Sequence, residues 1–121
     1  MNPLSDGETV IFVDSRGRSY LKRLRAGHRI TIRGTVVAAD ELLGRPEGTL
    51  SPAARPERFR VFRATYADLV TQAPRLAEPV FPKDAGLILT RADIRPGDKV
   101  VELGAGTGML SVLLLRAVGS S

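Results

Sequence analysis

Along the first sixty residues the apolar positions come in short runs divided by turn-forming residues. Val10-Ile11-Phe12-Val13, within Glu8 to Asp14, is β-branched and aromatic and predicts a strand. Asp14-Ser15-Arg16-Gly17 predicts a turn in which Gly17 can take a positive φ, and Ser19 to Leu24 returns as the second arm of a hairpin that Ala26-Gly27 breaks. From His28 to Val37 the pattern alternates. Ile30, Ile32, Gly34 and Val36 share one face, and Arg29, Thr31, Arg33 and Thr35 take the other, which predicts one half-buried strand with a basic outer face. Asp40-Glu41-Leu42-Leu43 allows at most one helical turn before Gly44 and Pro46 stop it. Gly48-Thr49-Leu50 and Phe59 to Arg63 read as further short strands, and Ser51 to Glu57, with Pro52 and Pro56, as a mobile loop. Short strands so punctuated predict a small antiparallel barrel or curled sheet over about residues 7–63.

At Thr65 the period changes from two to that of a helix. Thr65-Tyr66-Ala67-Asp68 is a capped start, with Tyr66, Leu69, Val70 and Ala73 at helical spacing and Pro74 as the stop. Glu78 to Pro82 is extended, since Pro79 and Pro82 each push the preceding residue out of the helical region. Lys83 to Ala92 predicts a second helix, with Leu87, Ile88 and Ala92 inward. The turn Arg95-Pro96-Gly97-Asp98 feeds a buried strand, Lys99 to Leu103, and a third helix runs from Thr107 to Val118. That helix is apolar almost all round, as suits packing on a sheet. The expectation is a small antiparallel β-domain at 1–64, then at 65–121 the start of a parallel α/β domain; no internal repeat is visible.

Charge adds a distinction between the two parts. Residues 1–75 hold 13 basic and 8 acidic side chains, whereas residues 76–121 balance at five each. Residues 16–33 carry seven bases (Arg16, Arg18, Lys22, Arg23, Arg25, Arg29, Arg33) and no acid. A one-signed cluster of this kind can neutralise a phosphate backbone, or can be a solvated face of an arginine-rich protein. The absence of Cys excludes disulfides, thiolate metal sites and a cysteine nucleophile, and one His with scattered acids predicts no metal site. No segment reads as a signal peptide or a membrane span, so the expected compartment is the cytoplasm.

The candidate chemistry sits between the predicted strand and the third helix. Gly104-Ala105-Gly106-Thr107-Gly108 lets the backbone turn sharply and approach a ligand closely, and the helix that follows points free N–H groups at it. The G-x-G-x-x-G dinucleotide fingerprint fails at Met109, and no Lys-Ser/Thr pair makes a P-loop. A purely structural turn and another nucleotide fold remain open on these residues alone.

Glu102-x-Gly104-x-Gly106-x-Gly108 below a Pro-Gly-Asp turn resembles motif I of the class I S-adenosylmethionine-dependent methyltransferases. Val80-Phe81-Pro82-Lys83-Asp84-Ala85, Asp93 to Gly97, Gly17-Arg18-Ser19-Tyr20, Arg33-Gly34 and Leu43 to Thr49 are similar to the tRNA (adenine-58-N1)-methyltransferase family. The similarity runs from about Gly7 to Gly119 and includes that family's small β-rich N-terminal domain. The chain departs from the family where Phe81 stands for a frequent Tyr, where Glu78-Pro79 stands for Gln and an aliphatic residue, and where Ile30-Thr31-Ile32 replaces a His-x-His.

The resemblance implies a β-rich domain followed by the truncated start of a Rossmann-like methyltransferase domain, with S-adenosylmethionine as cofactor and tRNA as partner. It implies that Gly104, Ala105, Gly106, Thr107 and Gly108 pass along the cofactor's methionine end, with Met109 and Leu110 opening the helix. Glu102 would orient the loop and hold the methionine amino group, and Val80 would flank the cofactor or simply pack in the core. Arg16, Arg18, Arg23, Arg29 and Arg33 would contact tRNA phosphates, or in part lie at an interface, because the family forms homotetramers. The ribose-binding acid and the catalytic aspartate would come after Ser121, so the 121 residues alone are expected to bind the cofactor weakly or not at all, to transfer no methyl group, and to leave an apolar edge prone to aggregation. The other function classes are a non-enzymatic tRNA-binding or assembly module with a vestigial methyltransferase segment, and another class I methyltransferase such as a protein isoaspartyl enzyme.

Overall fold

A computed structural model describes residues 2–52, 57–74 and 77–120 of the chain. The chain divides into two compact units, Met1–Thr65 and Tyr66–Ser121.

The first unit is built from five strands: β1 (Thr9–Val13), β2 (Ser19–Arg23), β3 (Arg29–Ile32), β4 (Thr35–Ala38) and β5 (Arg60–Arg63). β1 is central in a three-stranded antiparallel sheet of order β2-β1-β5, and β3 and β4 form a separate antiparallel pair. Alternation decides which side chains meet. Val10 and Phe12 of β1 point inward and are fully buried, and they join Leu4, Leu24, Ile30, Ile32, Val37, Leu42, Phe59 and Val61 in one core. Phe59 packs nearly perpendicular to two rings, with Phe12 at 6.0 Å and Tyr20 at 6.2 Å between centroids, the T-shaped geometry that aromatic quadrupoles favour.

The single strand expected over His28 to Val37 is in fact two. The chain reverses at Arg33-Gly34, where φ is 48° and 81°, and pairs Ile32 with Thr35 across a two-residue loop. Positive φ at both central residues marks the mirror-image turn that matches the right-handed twist of strands. The reversal puts Thr35 and Val37 inside and turns Val36 out to 47% exposure. Gly48 to Leu50 forms an isolated bridge with Arg60 and ladder-like bonds to Val61 rather than a full strand. Ala39–Glu41 is a short 3₁₀ turn. The loop expected at Ser51 to Glu57 falls largely on 53–56, outside the described residues.

The second unit comprises α1 (Tyr66–Gln72), α2 (Pro82–Arg91) and α3 (Met109–Val118), each touching the other two. Pro82 is the first residue of α2 rather than the end of the extended stretch, since its missing N–H costs nothing there and its φ is already helical. α2 turns Ala85 inward, with Leu89 half-buried one turn on, while Leu87 and Ile88 face out, contrary to the expected face. α3 begins at Met109, two residues later than expected, with Gly108 as its left-handed cap.

The expected strand Lys99 to Leu103 is extended but unpaired: among the described residues no backbone hydrogen bond joins it to a neighbour. A strand exists only with a partner, and the three helices beside it offer no free backbone ladder. Val101 and Leu103 are consequently 87% and 90% exposed, and on α3 only Leu114 is buried.

Candidate functional site

The loop after the extended segment is a run of left-handed turns. Gly104, Gly106 and Gly108 have φ of 69°, 56° and 76°, a region closed to most L side chains. A Cβ at Gly104 or Gly108 would meet nothing within 4 Å, so backbone conformation rather than crowding demands glycine at these points. The Gly108 N–H donates to the Ala105 carbonyl at 2.9 Å and closes the last turn, and the Thr107 hydroxyl accepts from the Met109 N–H at 3.4 Å. The N–H groups of Ala105, Gly106 and Thr107 have no partner among the described residues. The N–H groups of Leu110 and Ser111 in the first turn of α3 are likewise unbonded among the described residues, and backbone donors at a helix N-terminus suit a carboxylate or a similar acceptor.

Glu102 lies half-buried at the entrance to this loop. The Ser111 hydroxyl, one turn into α3, donates to Glu102 Oε2. That bond ties the segment before the loop to the helix after it and holds the carboxylate in place. Val100, Glu102, Ser111, Leu114, Leu115 and Val118 line a cleft between the extended segment and α3. At the far end, the Gly97 N–H donates to the Val118 carbonyl at 2.7 Å, and Arg95 N–H donates to Asp98 Oδ2 at 2.8 Å. The expected residues Glu102, Gly104, Ala105, Gly106, Thr107, Gly108, Met109 and Leu110 thus form one continuous structure. Val80 sits half-buried beside the buried Pro79, before α2, and no hydrogen bond joins it to the loop among the described residues.

These groups fit S-adenosylmethionine in kind. Free N–H donors suit its carboxylate, and an anchored carboxylate suits its ammonium group. Among the described residues no group of three His, Asp or Glu side chains could hold a metal ion, and no helix is long and apolar enough to cross a membrane.

The five candidate arginines of the first unit do not form one patch. Arg16, Arg18 and Arg33 line a single depression with Ser15 and Glu57. Arg23 lines a different one with Arg25 and His28, and its Nε donates to the Gly7 carbonyl at 3.0 Å. Arg29 is exposed on β3.

Beside the first depression lies Asp14, which in the sequence reads only as a turn former. Its carboxylate is buried and accepts from the N–H groups of Arg16 and Arg18, both at 2.9 Å, from Arg18 Nε at 2.7 Å, and from the Tyr20 hydroxyl at 3.3 Å. Burial alone would raise the Asp14 pKa; the bonds from Arg18 and Arg16 outweigh it and hold the carboxyl below the ordinary aspartate range. The same pairing, above all its hydrogen bond, raises Arg18. Arg63 is a second staple, donating to Glu8, Glu47 and the carbonyls of Asn2 and Pro3 and so fastening the N-terminal segment to β5.

Residues 3–50 match the family model described as TrmI-like N-terminal. The first unit is thus similar to a TrmI-like N-terminal domain over most of its length. Beyond this domain the likeness extends along the chain: tRNA (adenine(58)-N(1))-methyltransferase TrmI of Thermus thermophilus is 33% identical over 110 residues, covering 91% of this chain and 43% of that protein. The tRNA (adenine(57)-N(1)/adenine(58)-N(1))-methyltransferase TrmI of Methanocaldococcus jannaschii is 32% identical over 92% of this chain and 38% of its own length. The chain therefore spans less than half the length of these relatives. Among solved structures, a SAM-dependent O-methyltransferase from Thermotoga maritima superposes over 98% of this chain and 44% of its own, with a TM-score of 0.81 at 21% identity. The tRNA (m1A58) methyltransferase TrmI from Aquifex aeolicus does so over 98% and 46%, with a TM-score of 0.69 at 25% identity. The fold is that of a TrmI-like domain followed by the first part of a Rossmann-like methyltransferase domain.

Proposed function

We propose that this chain supplies the N-terminal domain and the donor-loop part of an S-adenosylmethionine-dependent tRNA (adenine-58-N1)-methyltransferase. What carries the reading is one co-occurrence: a TrmI-like N-terminal domain and, in the same chain, a loop with three left-handed glycines opening onto α3. Relatives bearing that enzyme's name align across both. In this reading residues 1–64 contact tRNA and residues 65–121 begin the donor-binding domain of a cytoplasmic homotetramer.

The donor, when bound, supplies an activated methyl group for N1 of the adenine. The chain's own part is binding and orientation. The N–H groups of Ala105, Gly106 and Thr107 hold the donor's carboxylate end, and Glu102, steadied by Ser111, takes its ammonium group. Met109 and Leu110 set the helix that fixes the loop, and Val80 flanks the site. On the first unit Arg16, Arg18 and Arg33, with Arg23 and Arg29 further along, engage the tRNA backbone.

The test is methyl transfer from labelled S-adenosylmethionine to a tRNA transcript, mapped by reverse-transcriptase stops, using the whole polypeptide that contains these residues. A stop at adenine 58, absent from a transcript with guanine there, is expected. Methylation elsewhere, or of protein instead of RNA, refutes the reading.

A further inference from the structure

We infer that the tips of two hairpins form one notch for the phosphodiester backbone of a polynucleotide, with Arg16 and Arg18 from the β1–β2 turn and Arg33 from the β3–β4 turn. The inference rests on the proposed tRNA reading and assigns its contact point within the basic surface.

Three observations converge. First, these three arginines and Ser15 line one depression although they come from two different sheets. Second, Asp14 shapes the first tip in advance. Its four accepted bonds fix the Arg16 and Arg18 backbone and engage Arg18 Nε, leaving the terminal guanidinium nitrogens of Arg18 unbonded among the described residues. A guanidinium pre-set in this way offers its fork at lower entropic cost. Third, Arg33 occupies a left-handed turn position, φ 48°, where Asn, Asp or Gly is preferred. Its side chain is exposed and, like that of Arg16, has no ion pair or hydrogen bond among the described residues. No bond among the described residues calls for a long cation at that strained site; an external anion would.

The surroundings favour a polynucleotide over a membrane. Among the described residues the lining is Ser, Arg and Glu, with no apolar side chain to insert among lipids. The notch is also open, without the enclosed donors that hold a lone phosphate ion. Glu57, which accepts from the Ser15 hydroxyl at 3.1 Å, is the acid among the described lining residues, and a bound phosphate must avoid it.

The experiment is fluorescence anisotropy of labelled tRNA against the full chain, over about 50–200 mM salt. Arg33→Asn keeps the turn and removes the charge; Arg16→Gln removes the other free guanidinium; Arg45→Gln, exposed on another part of the unit, is the matched control. Each notch variant is expected to weaken binding several-fold and to lower the log–log salt slope by about 0.7–0.9, and the double variant by about twice that. Arg45→Gln should stay within about twofold of wild type. Equal losses at Arg45, an unchanged slope in the double variant, or binding to phosphatidylserine vesicles without binding to RNA overturns the notch. Arginine-dependent RNA binding without methyl transfer by the whole polypeptide leaves the notch standing and removes the methyltransferase reading. Methylation at adenine 58 that is indifferent to both arginines does the opposite.

Discussion

Replacing Arg33 by Asn should make the first unit more stable, even though it removes a candidate ligand contact. Arg33 is held at φ 48°, next to Gly34 at 81°. A left-handed backbone costs an ordinary L residue about 1–2 kcal/mol, because Cβ crowds the following carbonyl oxygen. Asn tolerates this region through local hydrogen bonding, and Asn-Gly is the favoured pair for this turn. The arginine side chain is exposed and makes no bond among the described residues, so little is lost by removing it. Recovering about half of the strain gives a gain of roughly 0.5–1 kcal/mol. For a unit of this size that is a rise in Tm of about 2–8 °C. Thermal melts followed by far-ultraviolet circular dichroism, at one pH and salt concentration, read it directly. An unchanged or lower Tm refutes the account of the turn: it would mean either that the backbone is not left-handed there or that the Arg33 side chain packs.

Acid should loosen the first unit through Asp14. Its pKa is depressed on folding, so its contribution is full above the unfolded value of about 3.8 and is lost as pH falls through the lower folded value. Urea midpoints between about pH 2 and 6 should fall on the acid side, and the gap between wild type and Asp14→Asn should narrow there; a constant gap refutes it. Gly106→Ala forces a side chain into φ 56° and should weaken S-adenosylmethionine binding by the whole polypeptide by about tenfold, for a strain of about 1–2 kcal/mol. Gly86→Ala within α2, with open space around the new Cβ, should instead be neutral or stabilising by about 0.5–1 kcal/mol; titration calorimetry and melts separate the two. Val101→Lys and Leu103→Glu should reduce concentration-dependent self-association of the 121-residue chain in sedimentation velocity, because both side chains stand almost fully in water on an unpaired segment.

The β1–β2 hairpin was legible because a β-branched, aromatic run and a Gly17 turn are local signals that the core merely reinforces. The turn at Arg33-Gly34 was not. Its first position carries Arg, which hides the Asn-Gly or Asp-Gly signature, and the alternation of Ile30, Ile32 and Val36 continues across it. Leu4 was missed because a lone apolar residue has no period. It is 1% exposed because its backbone bonds to Gly44 and Arg45 bring it back over the core. The segment Lys99 to Leu103 illustrates the opposite error: its composition is that of a buried strand, but pairing is a property of two segments and only one could be read. The glycine loop was plain in sequence, since its chemistry lies in the backbone. The bond from Ser111 to Glu102 was not, because nothing marks one serine in an apolar helix as the partner of an acid nine positions away.

The amide of Gly97 and the carbonyl of Val118 close the extended segment, the glycine loop and α3 into a ring without a covalent link. Such a ring opens or stays shut as a unit. Fraying of the last turn of α3 releases the Pro96-Gly97 corner at the same moment, and slack from that corner passes along the segment to Glu102 and the loop. The amide of Gly97, far from any ligand, therefore becomes a reporter. Its rate of hydrogen exchange tracks how often the ring opens, and it should slow when the loop is held by a ligand at the other end.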